Sequence, residues 1–306
     1  MTTAAPFALY AAAAAMLAPP LLRGPWAAHC PRLAISLWLV LPLSWVAAVV
    51  LAILAATAPF TLTWAGSPRA DGRLLLAGQA VPGGQAIAVA GLVLAAAVVL
   101  RAAGCVTWEL HRGRRARREH AALVTATGRP GLEPGVAILG HDAPAVYCMP
   151  RGQYHIVISS GALAALTPQQ LRAVLAHERA HLRFRHHLVL ALATALARAF
   201  PRVPLLTQAQ SQLAVLAEMA ADDTAARRHR PEDLAAALVI LASTGARPAT
   251  LAATGPEAIA RLQRILAPQQ PRKGIARLAA VPGLIPAAGI ACLPLILAAC
   301  DVTSHP

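Results

Sequence analysis

Between Leu171 and His187 the chain reads LRAVLAHERAHLRFRHH, which puts His177, Glu178 and His181 in the pattern His-Glu-x-x-His. Side chains four apart on an α-helix lie on one face, so both imidazoles can aim a ring nitrogen at a single point. A divalent metal suits that point. Glu178 follows the first histidine directly and so stands beside the metal, within reach of a water rather than of the ion, where its carboxylate can serve as general base. The competing explanation is an accidental string on a metal-free helix. With 11 histidines in 306 residues, the full pattern seldom arises by chance.

Two histidines need a third ligand, and the stretch Ala217 to Asp222, AEMAAD, offers two carboxylates at the same four-residue spacing. Glu218 would complete a two-histidine, one-glutamate zinc site whose fourth tetrahedral position stays open to water. Asp222 would accept a hydrogen bond from the outer nitrogen of one histidine and fix its tautomer. The alternative is a pair of solvated surface acids. The chain has only 13 acidic residues, and Glu218, Asp222 and Asp223 are three of them, which favours the metal.

The elements that must hold these groups are signalled nearby. Thr167 as N-cap, Pro168 in the first helical position and Gln170 completing a capping box mark a helix start. Leu171, Val174, Leu175 and Leu182 form its apolar stripe. Between Gly128 and Ser160, Gly and Pro punctuate β-prone pieces at 136–139, 145–149 and 155–159, which predicts a small sheet ahead of the metal helix. Leu188 to Ala197 is apolar but too short to cross a bilayer, and reads as a buried helix. His186 and His187 are expected to shape the end of the metal helix or to stand behind its ligands. Helices are expected over 208–228, 231–241 and 256–266, the last with Arg261 and Arg264 on its polar face. Arg227 to Arg230 crowd the C-terminus of the first, where cations suit the helix dipole.

The chain is 57% hydrophobic and 13% charged, with a mean hydropathy of +0.56. Such a composition places part of it in lipid. Apolar runs at 5–22, 34–58, 85–104 and 278–299 predict about four spans. Five arginines between Arg112 and Arg118 anchor that side in the cytoplasm by the positive-inside rule, which puts the 59–84 loop and both termini outside. The net charge of +14 does not argue for nucleic acid, because the arginines cluster beside apolar runs, and no direct nucleic-acid contact is expected. Five scattered cysteines without a Cys-x-x-Cys pair argue against a cysteine zinc site or a disulfide framework and read as free thiols. The expected division is a three-span membrane region at 1–105, a cytoplasmic domain at 106–274, and a last span with a short tail at 275–306.

HERAH, the downstream Glu-x-x-x-Asp, GQYHIVISSGALAAL before the metal helix and RLQRIL after it resemble the BlaR/MecR-type integral membrane zinc metallopeptidases over roughly residues 130–270. The resemblance implies a membrane α-helical protein with an inserted cytoplasmic α+β zincin-like metallopeptidase domain, in the cytoplasmic membrane of a bacterium. Zn2+ would be held by His177, His181 and Glu218, with Glu178 as base and Asp222 behind a ligand. An edge strand of His155, Ile156, Val157, Ile158 and Ser159 would hold extended substrate by strand addition. Tyr154 and His229 are the candidates for a donor to the developing oxyanion. The implied partners are the lipid bilayer and a cytoplasmic protein substrate, such as a winged-helix repressor, or the protein itself as substrate in signal transduction. The six residues after Cys300 leave no room for the penicillin-binding sensor of the best-known members, so β-lactam sensing is not expected to transfer. Two rivals are a membrane quality-control peptidase of the HtpX type or its prenyl-protein relatives, and a non-catalytic receptor stabilised by zinc. An intact Glu178 argues against the receptor, because a structural site needs no base.

Overall fold

The computed structural model describes residues 4–61, 83–131, 133–243 and 255–267. The fourth span expected at 278–299, and most of the 59–84 loop, lie outside these residues. Among the described residues three helices are long and apolar enough to cross a membrane: α1 (Ala4–Leu22), α3 (Pro31–Thr61) and α4 (Gly84–Thr127), with the single-turn α2 (Trp26–His29) between the first two. Helix is the form these runs must take, since lipid offers no partner for an open backbone N–H or C=O. Helices α1 and α3 meet through small buried residues, Ala11, Ala14 and Ala18 on one and Ala34 and Ala48 on the other. Trp45 Nε1 donates to the Ala11 carbonyl at 3.0 Å, and the hydroxyls of Tyr10 and Ser44 pair at 2.5 Å. Gly91 of α4 sits where any Cβ would overlap the Thr57 side chain, so α3 and α4 touch at this glycine. Leu9, Val40, Leu43, Val89 and Leu92 face outward, an apolar surface suited to lipid.

Helix α4 runs without a break from the apolar half into the arginine-rich half, so the division expected near residue 105 falls inside one helix. Gly128 ends it and leads into a four-stranded sheet in the order β1-β2-β4-β3: β1 (Arg129–Pro130), β2 (Val136–Leu139), β3 (Val146–Cys148) and β4 (Ile156–Ser159). Strand β4 runs parallel to β2 on one side and antiparallel to β3 on the other. Here the structure corrects a sequence expectation. The strand Ile156, Val157, Ile158 and Ser159, with His155 just before it, is an interior strand and not an edge. All four strand residues are buried, as an unalternated apolar run between two neighbours requires. The edge strands are β1 and β3, and β3 is the one that lies against α6.

The chain then passes through α5 (Ser160–Ala165), α6 (Pro168–Arg183), α7 (His186–Ala199), α8 (Pro204–Ala226), α9 (Pro231–Ser243) and α10 (Gly255–Leu266). Helix α7 is short and largely buried, and its neighbours include the membrane helices. Phe200, at the turn from α7 to α8, packs edge-to-face on Trp45 with ring centroids 5.5 Å apart, and Arg101 Nε donates to the Ala199 carbonyl at 2.6 Å. Arg32, at the start of α3, donates to Thr224 of α8 at 3.1 Å, and Trp45 lies thirteen residues further, about 20 Å along α3. The α7–α8 hairpin therefore runs far down the flank of the spans. Ala193, Leu205, Ala209, Leu213 and Leu216 belong to the same core as Trp38 and Leu41 of α3.

Candidate metal centre

Helix α6 begins as its sequence signals: the Thr167 side chain accepts from Gln170 N, and the Gln170 side chain accepts from Thr167 N. Val174 and Leu175 pack against Val146, Ile156 and Ile158 of the sheet. That contact sets the rotation of α6, and turns the buried His177 and His181 towards α8. There they meet Glu218. The two Nε2 atoms lie 3.1 Å apart, Glu218 Oε1 is 3.4 Å from His181 Nε2, and Glu218 Oε2 is 3.6 Å from His177 Nε2. A tetrahedral ion with bonds of about 2.0–2.1 Å has donor atoms about 3.3 Å apart, so these three fit a zinc-sized cation.

The groups behind the ligands are as ordered as the ligands. Asp222 Oδ1 stands 3.0 Å from His177 Nδ1, and Arg261 of α10 grips both Asp222 oxygens, from Nε and Nη2, at 2.9 Å each. The same guanidinium reaches Glu218 Oε2 from Nη1 at 2.8 Å. His186 Nδ1 pairs with His181 Nδ1 at 3.0 Å. His177 Nδ1 faces the Asp222 carboxylate and His181 Nδ1 faces His186, which leaves the two Nε2 atoms on the side shared with Glu218. Arg264, one turn beyond Arg261, ties the assembly to α2 and α8: it donates to the Ala28 carbonyl at 2.8 Å and to Asp223 at 2.6 Å.

These contacts drive the protonation states apart. At His177, burial disfavours the cation, but the hydrogen bonds and charges of Asp222 and Glu218 outweigh it and raise the pKa to about 9. At His181, burial and then the neighbouring His177 lower it to about 3; at His186, burial is the leading cause of a fall to about 4. Glu218 and Asp222 are held below the usual carboxylate range. Burial opposes ionisation at both, and the hydrogen bond from His177 with the charge of Arg261 overcomes it.

Glu178 is buried on the side of α6 next to β3, and its Oε2 accepts from the backbone N–H of Cys148 at 3.0 Å. That N–H is free to do so because Ala145 and Met149 turn their backbone groups inward to Ser159 and His155, which leaves the intervening Cys148 facing out. Burial, followed by the charge of Glu178, pushes the Cys148 thiol far up, so it is no nucleophile. A buried carboxylate thus stands next to the His-His-Glu group and beside an edge strand.

The model of peptidase family M48 matches residues 111–269, slightly more than half of the chain. The chain belongs to peptidase family M48. No curated protein and no solved structure matches it. M48 peptidases are metal-dependent hydrolases, typically of zinc and typically membrane-associated, and the buried His-His-Glu group with three long apolar helices agrees with that description.

The other sequence candidates fall outside this M48 site. Tyr154 is buried with Val124, Met149 and Val157 in the cluster between the sheet and α4, and His229 lies in the turn that follows α8. Neither joins the ligands or Glu178. Arg261 is the site residue that sequence reading left on a polar helix face. Its signal is in the sequence: Arg261 and Arg264 sit three apart on an amphipathic helix, in a chain with only 13 acids, three of them at 218–223.

Proposed function

We propose that this protein is a zinc endopeptidase at the cytoplasmic face of a bacterial membrane. The observation that carries the reading is the hydrogen bond from the outward-facing Cys148 N–H to Glu178, which sets that carboxylate beside the edge strand β3. An extended polypeptide would pair with that edge and bring its backbone beside Glu178. Zinc held by His177, His181 and Glu218 would polarise the scissile carbonyl and acidify the attacking water. Glu178 accepts the proton of that water at its carboxylate and returns it to the departing amine nitrogen. Asp222 holds the His177 Nδ1 proton and so keeps Nε2 available.

The substrate we favour is a cytoplasmic regulator cut in signalling, such as a winged-helix repressor, or the chain itself, in keeping with the BlaR/MecR-like motifs. Turnover of membrane proteins, as in quality-control peptidases of the HtpX type, is the second reading. The α7–α8 hairpin lying along the spans favours it. The test compares membranes carrying wild type and Glu178→Gln, with bound zinc measured in both, against a co-encoded repressor and a misfolded membrane protein. Loss of cleavage with zinc retained supports the peptidase. Cleavage that persists in Glu178→Gln removes Glu178 as base, and the choice of substrate cut separates the two readings.

A further inference from the structure

A cavity of about 880 Å3 opens beside the metal centre between α4, β3, α7 and α8. Its inner end is Cys148 and His181. Its far wall mixes Thr194, Thr207, Gln210 and Ser211 with Leu190 and Ala214. Its charge is one-sided. Glu109 is the single carboxylate among the lining residues, and it is buried and bonded to Arg198 at 2.8 Å and to Arg112 at 3.4 Å. Arg112, Arg117, His120 and His187 also line it. The Arg117 guanidinium lies over Gly113, where a Cβ would come within 2.8 Å of it, so a glycine clears its place. The charges next to Arg117 are Arg151 and Arg114, and His187 is close by, all basic side chains.

A half-enclosed cavity with an uncompensated positive charge selects ligands that carry negative charge. Because its inner end is the free strand edge, the ligand that fills it is the same polypeptide that lies along β3. We propose that this cavity is a specificity subsite for a substrate segment bearing Asp or Glu side chains next to the bond that is cut, with Arg117 as the specificity-determining residue. The proposal rests on the peptidase reading above.

The experiment uses the full chain in neutral nanodiscs, loaded with zinc and carrying Glu178→Gln so that nothing is consumed. Binding of three fluorescent peptides, identical except for Glu, Gln or Lys at the positions flanking one central bond, is followed by anisotropy at low and high salt. The expected result is a preference of about tenfold or more for the Glu peptide over the Gln peptide at low salt, shrinking as salt rises. Adding Arg117→Glu should reverse the order in favour of Lys, with zinc content unchanged. Arg115→Glu, on an exposed residue outside the cavity, should leave the order alone. Equal binding of the three peptides overturns the proposal, as does an order that Arg117→Glu leaves unchanged. A third refutation is a preference that phosphatidylglycerol in the nanodisc abolishes, which assigns the charge to lipid headgroups. If the Glu peptide binds best but the chain with Glu178 intact never cuts it, the peptidase reading fails and the subsite stands. If all three are cut at equal rates, the reverse holds.

Discussion

Replacing Asp222 with Asn separates two roles that the structure gives to one carboxylate. Asp222 orients His177 through Nδ1, and it is the first-ranked among the groups that raise the His177 pKa to about 9. At pH 7 a proton therefore competes with the metal for His177. One pH unit is a factor of ten in that competition, so the two units between 7 and 9 weaken apparent zinc affinity about a hundredfold at pH 7. Apparent affinity in the wild type should rise about tenfold per pH unit from 7 to 9 and then level off. In Asp222→Asn the His177 pKa falls towards the ordinary imidazole value, and the slope in this window should flatten. The lost orientation costs affinity of its own, about 10–100-fold for a partner behind a ligand. At pH 9 the variant should thus be the weaker binder by that factor, while at pH 7 the two effects offset and the proteins come close together. Competition titration against a chromophoric chelator at half-unit pH steps reads the whole curve. A wild type with no slope, or a variant with the wild-type slope, would refute the assignment of that proton to His177 and Asp222.

Other outcomes follow from the same geometry. Arg261→Met leaves two buried carboxylates without their cation and should destabilise the zinc-free protein by about 3–5 kcal/mol, with Arg261→Lys losing less, as read by unfolding in mild detergent. The zinc-free protein should be most stable near pH 6.5. The raised pKa of His177 contributes stability that is full below about 6.5 and is lost as pH climbs through about 9, and the depressed pKa values of His181 and His186 contribute stability that is lost as pH falls from about 6.5 to about 4 and below. A melting temperature that changes monotonically from pH 4 to 9 would contradict this. Glu178→Gln should lower peptide cleavage by about 10²–10⁴-fold with zinc content intact, measured by chromatography of the products. Gly91→Leu forces apart the contact with Thr57 and should weaken the α3–α4 pairing, visible as a lower melting temperature in mild detergent while the zinc content of the site is retained.

The helix that carries His177 and His181 was legible because its information is local. The Thr167 and Gln170 cap, the four-residue spacing of His177 and His181 and the spacing of Glu218 and Asp222 all follow from the pitch of a helix. The three apolar helices were legible for a similar reason, since length and composition decide whether a segment can satisfy its backbone in lipid. The strand edge was not. The stretch 155–159 and the stretch 145–149 both read as strands, and which of them is open depends on whether β2 pairs with one or the other.

From sequence alone came a His-Glu-x-x-His helix, a second helix with paired acids, a sheet between Gly128 and Ser160, and apolar segments fit for a membrane. Tertiary structure alone decided that β3 and not β4 lies at an edge of the sheet, that the α7–α8 hairpin lies along the spans, and that Arg261 locks Asp222 from 39 residues away and Glu218 from 43. The physical reason is range: periodicity reports which face of a helix or strand is apolar, whereas the partner of that face, and of a charge upon it, is chosen only when distant segments pack.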